Sequence, residues 1–434
     1  FLPELRLFAS TSMNPIDREF RSGDTSSLLE LQIKALQEAL IKGDTEAIRY
    51  ARRRIASFGE TALPALNRAA AESSDARVKS GLSGLTQDMK KSGEVVQAYS
   101  DALRSGDPIA IQAARKNLME LASNPSINFL TDLLERAATR ASDKPAVQEG
   151  LLNAKQTVEE IREVVAQLRR AVQRNSEAEI KRAKDELIGQ GIDAVPFLKK
   201  AEAETTDPRL QRELIDISRT IELADARVKT FTQAVRGNAD PATIAATRQD
   251  VVECGEAAAP ALKRALRETP DGPLKNELQK TYEAAVIEPH IKAYREALAK
   301  GDAQAVERER QKLFDLGEEA LPTLARVISS LTDPKERAAL REVFQRIAFR
   351  QTDNPDSKPK LPTEYVNALL SQLKGKDPEA RQRAWDQLSA LGPMILPIIA
   401  QEIKKTPTGY ENRLMRQLVD WIIMEYKNGD IAEK

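Results

Sequence analysis

The sequence predicts an all-α solenoid of about six repeats of ~64 residues, each with two short helices and one long helix. Three observations carry that prediction. A cap residue, a Gly fifteen positions later and a Pro five after the Gly recur along the chain. Apolar residues between these marks fall at helical spacing. The 434 residues are 30% charged, 41% hydrophobic and only 4% aromatic, which suits a core of stacked small-residue helices.

The first copy reads Asp44, Gly59, Pro64, Leu66, and the third Ser176, Gly191, Pro196, Leu198. The fourth is Asp240, Gly255, Pro260, Leu262; the fifth Asp302, Gly317, Pro322, Leu324; the sixth Asp377, Gly392, Pro397, Ile399. The second is degenerate: Asp107, then Ser123, Asn128 and Leu130, with one extra residue before Ser123. Asp or Ser at the start accepts from the free N–H groups of a helical first turn. Apolar pairs such as Ile48 with Ile55, Ile111 with Leu118 and Ile180 with Leu187 then mark one buried face. The helix ends at Gly, which adopts the left-handed conformation without a Cβ penalty. Pro falls in the first turn of a second helix, where its missing N–H costs nothing. That helix buries pairs such as Leu63 with Leu66, Val195 with Leu198 and Leu321 with Leu324.

A second breaker (Ser74-Asp75, Thr206-Asp207-Pro208, Thr269-Pro270-Asp271, Thr332-Asp333-Pro334 or Thr406-Pro407) opens the third helix. It runs from Asp75 to about Arg104 in the first repeat and from Pro208 to about Arg236 in the third. Such a unit cannot bury its apolar stripe alone, so neighbours stack into one continuous core.

The expected organisation is a tail over 1–25, repeats one to five over 26–350, a polar, Pro-containing loop over 351–362, repeat six with a cap over 363–427 and a tail over 428–434. The loop explains the longest interval, 75 residues between Gly317 and Gly392. The loop and the degenerate second repeat are expected to be the weakest joints.

Composition excludes several functions. Lys+Arg and Asp+Glu both number 66, so no net field draws in nucleic acid or an anionic membrane. One His and one Cys exclude zinc sites built on clustered Cys and His, and any disulfide within the chain. No apolar run approaches the ~18–20 residues of a membrane span. The segment Phe1–Phe8 is too short and too charged for a complete signal peptide. The compartment stays open, with a cytoplasmic chain favoured over an exported one whose signal has been removed. No phosphate-loop, nucleophile-elbow or dinucleotide motif is present. No catalytic, cofactor-binding or metal-binding residue is read.

The segments ARRRIASFGETALPAL (Ala51–Leu66), ERQKLFDLGEEALPTL (Glu309–Leu324) and AWDQLSALGPMILPII (Ala384–Ile399) resemble the HEAT-repeat family, including its bacterial HEAT-like type. The resemblance covers residues 40 to 427, about nine-tenths of the chain. The period departs from the family's usual ~40–47 residues, which implies a lengthened third helix or a variant of the family. Tetratricopeptide pairs fit the length but lack their aromatic positions. The resemblance implies an extended curved surface for a protein or peptide, lined by the second helices. Among enzymes on this frame, di-iron hydroxylases need several His-Glu pairs, and DNA glycosylases need a basic, aromatic groove. Bilin lyases fit by fold alone.

Two rows of charge follow from the alignment. Eight positions after the cap stand Arg52, Arg115, Lys184, Arg248, Arg310 and then Trp385. The favoured reading is that each basic stem covers the apolar stripe and pairs with an acidic group of the next repeat. Four residues after the Pro stand Arg68, Asp132, Lys200, Arg264, Arg326 and Gln401, extended by Lys199, Lys263 and Arg267. The seven cations Arg68, Lys199, Lys200, Lys263, Arg264, Arg267 and Arg326 are the candidate partner-binding residues. Against that, Arg68 with Glu72, Lys200 with Glu204 and Arg264 with Glu268 are spaced as solvated helical pairs. His290 is expected as a surface or capping residue and Cys254 as a core residue. Gly81 and Gly84 suggest close helix packing or a kink. The expected function is a non-enzymatic scaffold binding a protein or peptide, with a structural subunit and a HEAT-framed enzyme as alternatives. Self-assembly stays open, and no nucleic acid is expected as partner.

Overall fold

The computed structural model describes residues 25–349, 363–406 and 408–432. Among them every regular element is helical. The fold is an all-α solenoid built on packing between successive helices. The chain divides into two units, Phe1–Asp225 and Ala226–Lys434.

In the first unit, α1 (Thr25–Lys42) precedes three repeats. The first holds α2 (Thr45–Ser57), α3 (Leu63–Glu72) and the 30-residue α4 (Ala76–Ser105). The second holds α5 (Pro108–Ala122), α6 (Leu130–Arg140) and α7 (Pro145–Gln173). The third holds α8 (Glu177–Gln190), α9 (Val195–Glu204) and α10 (Pro208–Arg236), which runs past the end of the unit at Asp225. Its core is aliphatic, with Leu66, Leu82, Leu118, Leu151, Leu187 and Leu214 fully buried.

The second unit holds the fourth repeat, α11 (Pro241–Glu253), α12 (Ala259–Glu268) and a third helix in two parts, α13 (Pro273–Tyr282) and α14 (Glu288–Lys300). A π turn, Glu283–Ile287, joins those parts directly ahead of Pro289. The wider turn accommodates a proline that lacks an N–H for the ladder. The fifth repeat holds α15 (Ala303–Leu316), α16 (Leu321–Ser330) and α17 (Pro334–Ala348), and α18 (Thr363–Leu373) begins the segment that the sequence assigns to repeat six. The sixth holds α19 (Pro378–Leu391), α20 (Leu396–Lys405) and α21 (Tyr410–Ala432). Phe231, Leu262, Tyr282, Leu324, Phe344, Leu388 and Leu418 are buried at its core.

The repeat marks do what their chemistry requires. Gly59, Gly191, Gly255, Gly317 and Gly392 all have φ between +57° and +74°. A 3-10 turn follows each and leads straight into the Pro-bearing second helix. In the degenerate repeat Ser123 has φ −66° and that turn is absent. Asp44, Asp107, Asp240, Asp302 and Asp377 each accept from first-turn N–H groups; Ser176 makes no such bond. Helix α21 continues to Ala432, past the residue 428 at which the sequence reading places a tail. The expected N-terminal tail up to residue 24 and the loop 351–362 lie outside the described residues.

Candidate functional site

The first basic row is built into the packing. Arg52 bonds Asp88 on α4 and Arg248 bonds Glu277 on α13. Lys184 Nζ reaches Glu213 at 2.8 Å and Asp216 at 2.9 Å, both on α10. The acid thus belongs to the third helix of the same repeat, not to the next repeat as the sequence suggested. The reason is geometric: the long third helix runs back beside its own first helix. Arg115 alone crosses to the next repeat, donating to Asp193 at 2.7 Å, and it also meets Thr157 on α7 at 3.1 Å. Arg310 pairs one turn back with Glu307.

The second row is divided. Arg68, Lys199, Lys200, Arg267 and Arg326 are exposed, whereas Lys263 and Arg264 are half-buried. Lys199 Nζ lies 2.7 Å from Glu222 and Lys200 Nζ 3.5 Å from Glu204. Lys263 Nζ lies 2.8 Å from Glu319 and 5.7 Å from the centre of the Tyr282 ring. Glu319 also accepts from the Tyr282 hydroxyl at 2.6 Å, and burial with that carboxylate pushes the phenol well above its ordinary range. Arg326 Nη2 bridges Glu283 at 3.2 Å and Glu288 at 2.9 Å. Asp132 is no gap in a basic row. It accepts two 2.8 Å bonds from Arg53 and so ties α6 to α2. Among the described residues Arg68 and Glu72 form no ion pair within 4.0 Å, although their spacing allows one. The row therefore combines packed lysines and arginines with outward ones, chiefly Arg68, Lys200 and Arg267.

His290 departs from expectation. Its side chain is 8% exposed, not on the surface. Nδ1 lies 2.8 Å from Glu309 Oε2 on α15, and Nε2 lies 3.1 Å from Glu256 Oε1 in the 3-10 turn Gly255–Ala258. Lys312 Nζ adds a 3.2 Å contact to the same Glu256 oxygen. The His290 bond, with Lys312, holds the Glu256 carboxyl down to about 2 despite its partial burial. The imidazole is shifted upward, first by Glu256 against the cost of burial, then by Glu309. A signal for this was present: Ile287, His290, Ile291, Tyr294 and Ala297 share one buried helical stripe. Cys254 is half-buried rather than fully in the core, with Sγ 3.5 Å from Arg227 Nη1. Gly81 is a close-packing site: a methyl there would lie 2.6 Å from Leu40 Cδ1. Gly84 has nothing within 4 Å of the same position. Among the described residues no three His, Cys, Asp or Glu side chains are grouped to hold a metal ion, and no helix is long and apolar enough to cross a membrane.

No family model matches the chain. No curated protein matches it either. Among solved structures it is similar to a circular tandem repeat protein with novel repeat topology and enhanced subunit contact surfaces. Identity is 15% over 92% of this chain and 82% of that one, with a TM-score of 0.23. The fold stated above rests on this chain's own helices.

Proposed function

We propose that the chain is a non-enzymatic HEAT-like scaffold that binds a protein or peptide along the face formed by its second helices. The observation that carries this reading is the recurrence of one helix, α3, α9, α12, α16 and α20, at one register behind each Gly-to-Pro turn. Each copy sets a long polar side chain four residues after its proline: Arg68, Lys200, Arg264, Arg326 or Gln401. Equivalent positions at a fixed period suit an extended ligand that is read at several points. Arg68, Lys200 and Arg267 are the strongest contact candidates, because they face solvent and do not join helices. The experiment is affinity purification with mass spectrometry of the intact chain beside a Lys200→Glu/Arg267→Glu variant. Loss of the same partners from the folded variant is expected. Unchanged recovery overturns this row as the binding site.

A second reading, a subunit of a larger assembly, is favoured by the exposed apolar residues of α21. Trp421, Ile423 and Met424 on α21 are 44%, 38% and 49% exposed. Three exposed apolar residues on one helix suit a contact with another chain, and light scattering tests for one.

A further inference from the structure

We propose that His290 is a proton-operated latch between the fourth and fifth repeats: with both nitrogens protonated it clamps Glu256 to Glu309, and loss of one proton releases one carboxylate and loosens that joint. The geometry requires the doubly protonated ring. Ionised carboxylates only accept hydrogen bonds, and both imidazole nitrogens donate only in the imidazolium form. Both nitrogens face carboxylate oxygens, at 2.8 Å and 3.1 Å. A neutral ring keeps one N–H and turns a lone pair on the other carboxylate, which converts an attraction into a repulsion at hydrogen-bond distance.

The three members belong to different elements. His290 lies on α14, the closing helix of repeat four, and Glu256 in the 3-10 turn of that repeat. Glu309 lies on α15, which opens repeat five. The charged groups facing the ring are Glu256 from the turn and Glu309 and Lys312 from α15. Lys312 opposes protonation, and the two carboxylates outweigh it. Exposure decides which bond yields. The Glu309 side chain is 14% exposed and the Glu256 side chain 61%. Water can replace the ring at Glu256 but has little access to Glu309, so the neutral ring keeps its proton toward Glu309 and lets Glu256 go. The imidazole value is raised in the folded chain. The latch is therefore fully closed below the ordinary His value of about 6.5 and is lost as pH rises through the folded value.

His290 is the only histidine in the chain, so the ring-nitrogen signals of the intact protein belong to it alone. A pH titration of the 15N-labelled full chain should show both ring nitrogens protonated at low pH and a midpoint above about 6.5. Glu256→Gln should lower that midpoint, because it removes the largest upward influence. Hydrogen exchange, expressed as protection factors, should fall in the first turns of α15 across the same midpoint, and His290→Gln should abolish that step. A midpoint at or below about 6.5 overturns the latch, as does a pH step in α15 that persists in His290→Gln. If His290→Gln fails to fold, the Glu256→Gln titration still decides, and an unshifted midpoint there refutes the clamp.

Discussion

At the scale of single residues, glycine carries two separate tasks in this chain. At Gly59 and its repeat equivalents it supplies the positive φ that ends a helix. At Gly81 it supplies absence: Leu40 from α1 seats where a methyl would stand. Gly150 on α7 receives Leu103 from α4 in the same way, with a methyl position 2.7 Å from Leu103 Cδ2. Gly84 on the same helix as Gly81 has open space. A mid-helix Gly→Ala change gains about 1 kcal/mol of helix propensity, and overpacking costs about 1–3 kcal/mol. Gly84→Ala should therefore stabilise the protein in urea titrations, whereas Gly81→Ala should be neutral or destabilising. Equal stabilisation by both would refute close packing at Gly81. A fourth mark was open to view and is repeated as faithfully as the turn glycines. Gly43, Gly106, Asn175, Asn238 and Gly301 end the long helices in the left-handed region, one or two residues before the next cap. Gly and Asn are the residues that tolerate that conformation. Three glycine-ended copies and two asparagine-ended ones look different as letters and identical as backbone.

At the scale of elements, the degenerate second repeat shows how the fold tolerates a lost motif. Without the Gly turn, the chain between α5 and α6 leaves carbonyls with no ladder partner. Arg162, on the long helix α7, reaches into this turn and donates Nη2 to Ala122 O at 2.7 Å and Ile127 O at 3.1 Å. Arg136 on α6 does the same for the end of α2, donating to Ser57 O at 2.7 Å and Ala56 O at 2.8 Å. Cations at a helix C-terminus also answer the negative end of its dipole. Arg162→Ala leaves half-buried carbonyls unsatisfied and should cost about 1–3 kcal/mol by chemical denaturation. A cost near zero would mean that water satisfies the turn and that the arginine is dispensable. The second-repeat turn, expected as a weak joint from its sequence, is thus braced by a side chain some forty residues away. No motif spacing reveals this, because Arg162 falls among ordinary surface-helix charges. The same blindness affected the first basic row. Its register was evident, but the choice between the same repeat and the next depended on which way the third helix returns.

At the scale of the molecule, stability in each unit accumulates through contacts between successive helices. Helix α21 is held by ion pairs of Glu425 with Arg337 and Arg341 on α17, yet Trp421, Ile423 and Met424 stay exposed. If α21 serves as an assembly edge, light scattering should give a mass that rises with concentration, and Trp421→Glu should return the chain to a monomer. A strict monomer at all concentrations would overturn that reading and leave the scaffold reading intact. The sequence by itself determined the helical class, the repeat register, the caps and the turns, because each depends on residues within a few positions of one another. Backbone sterics and first-turn hydrogen bonds are local, and they repeat wherever the letters do. Only the tertiary structure decided which charges were structural. Lys263 and Arg326 became ion-pair partners of Glu319, Glu283 and Glu288, and His290 became a buried clamp. An ion pair or a buried imidazole is defined by the side chain that arrives from elsewhere, and burial is settled only once the helices have stacked.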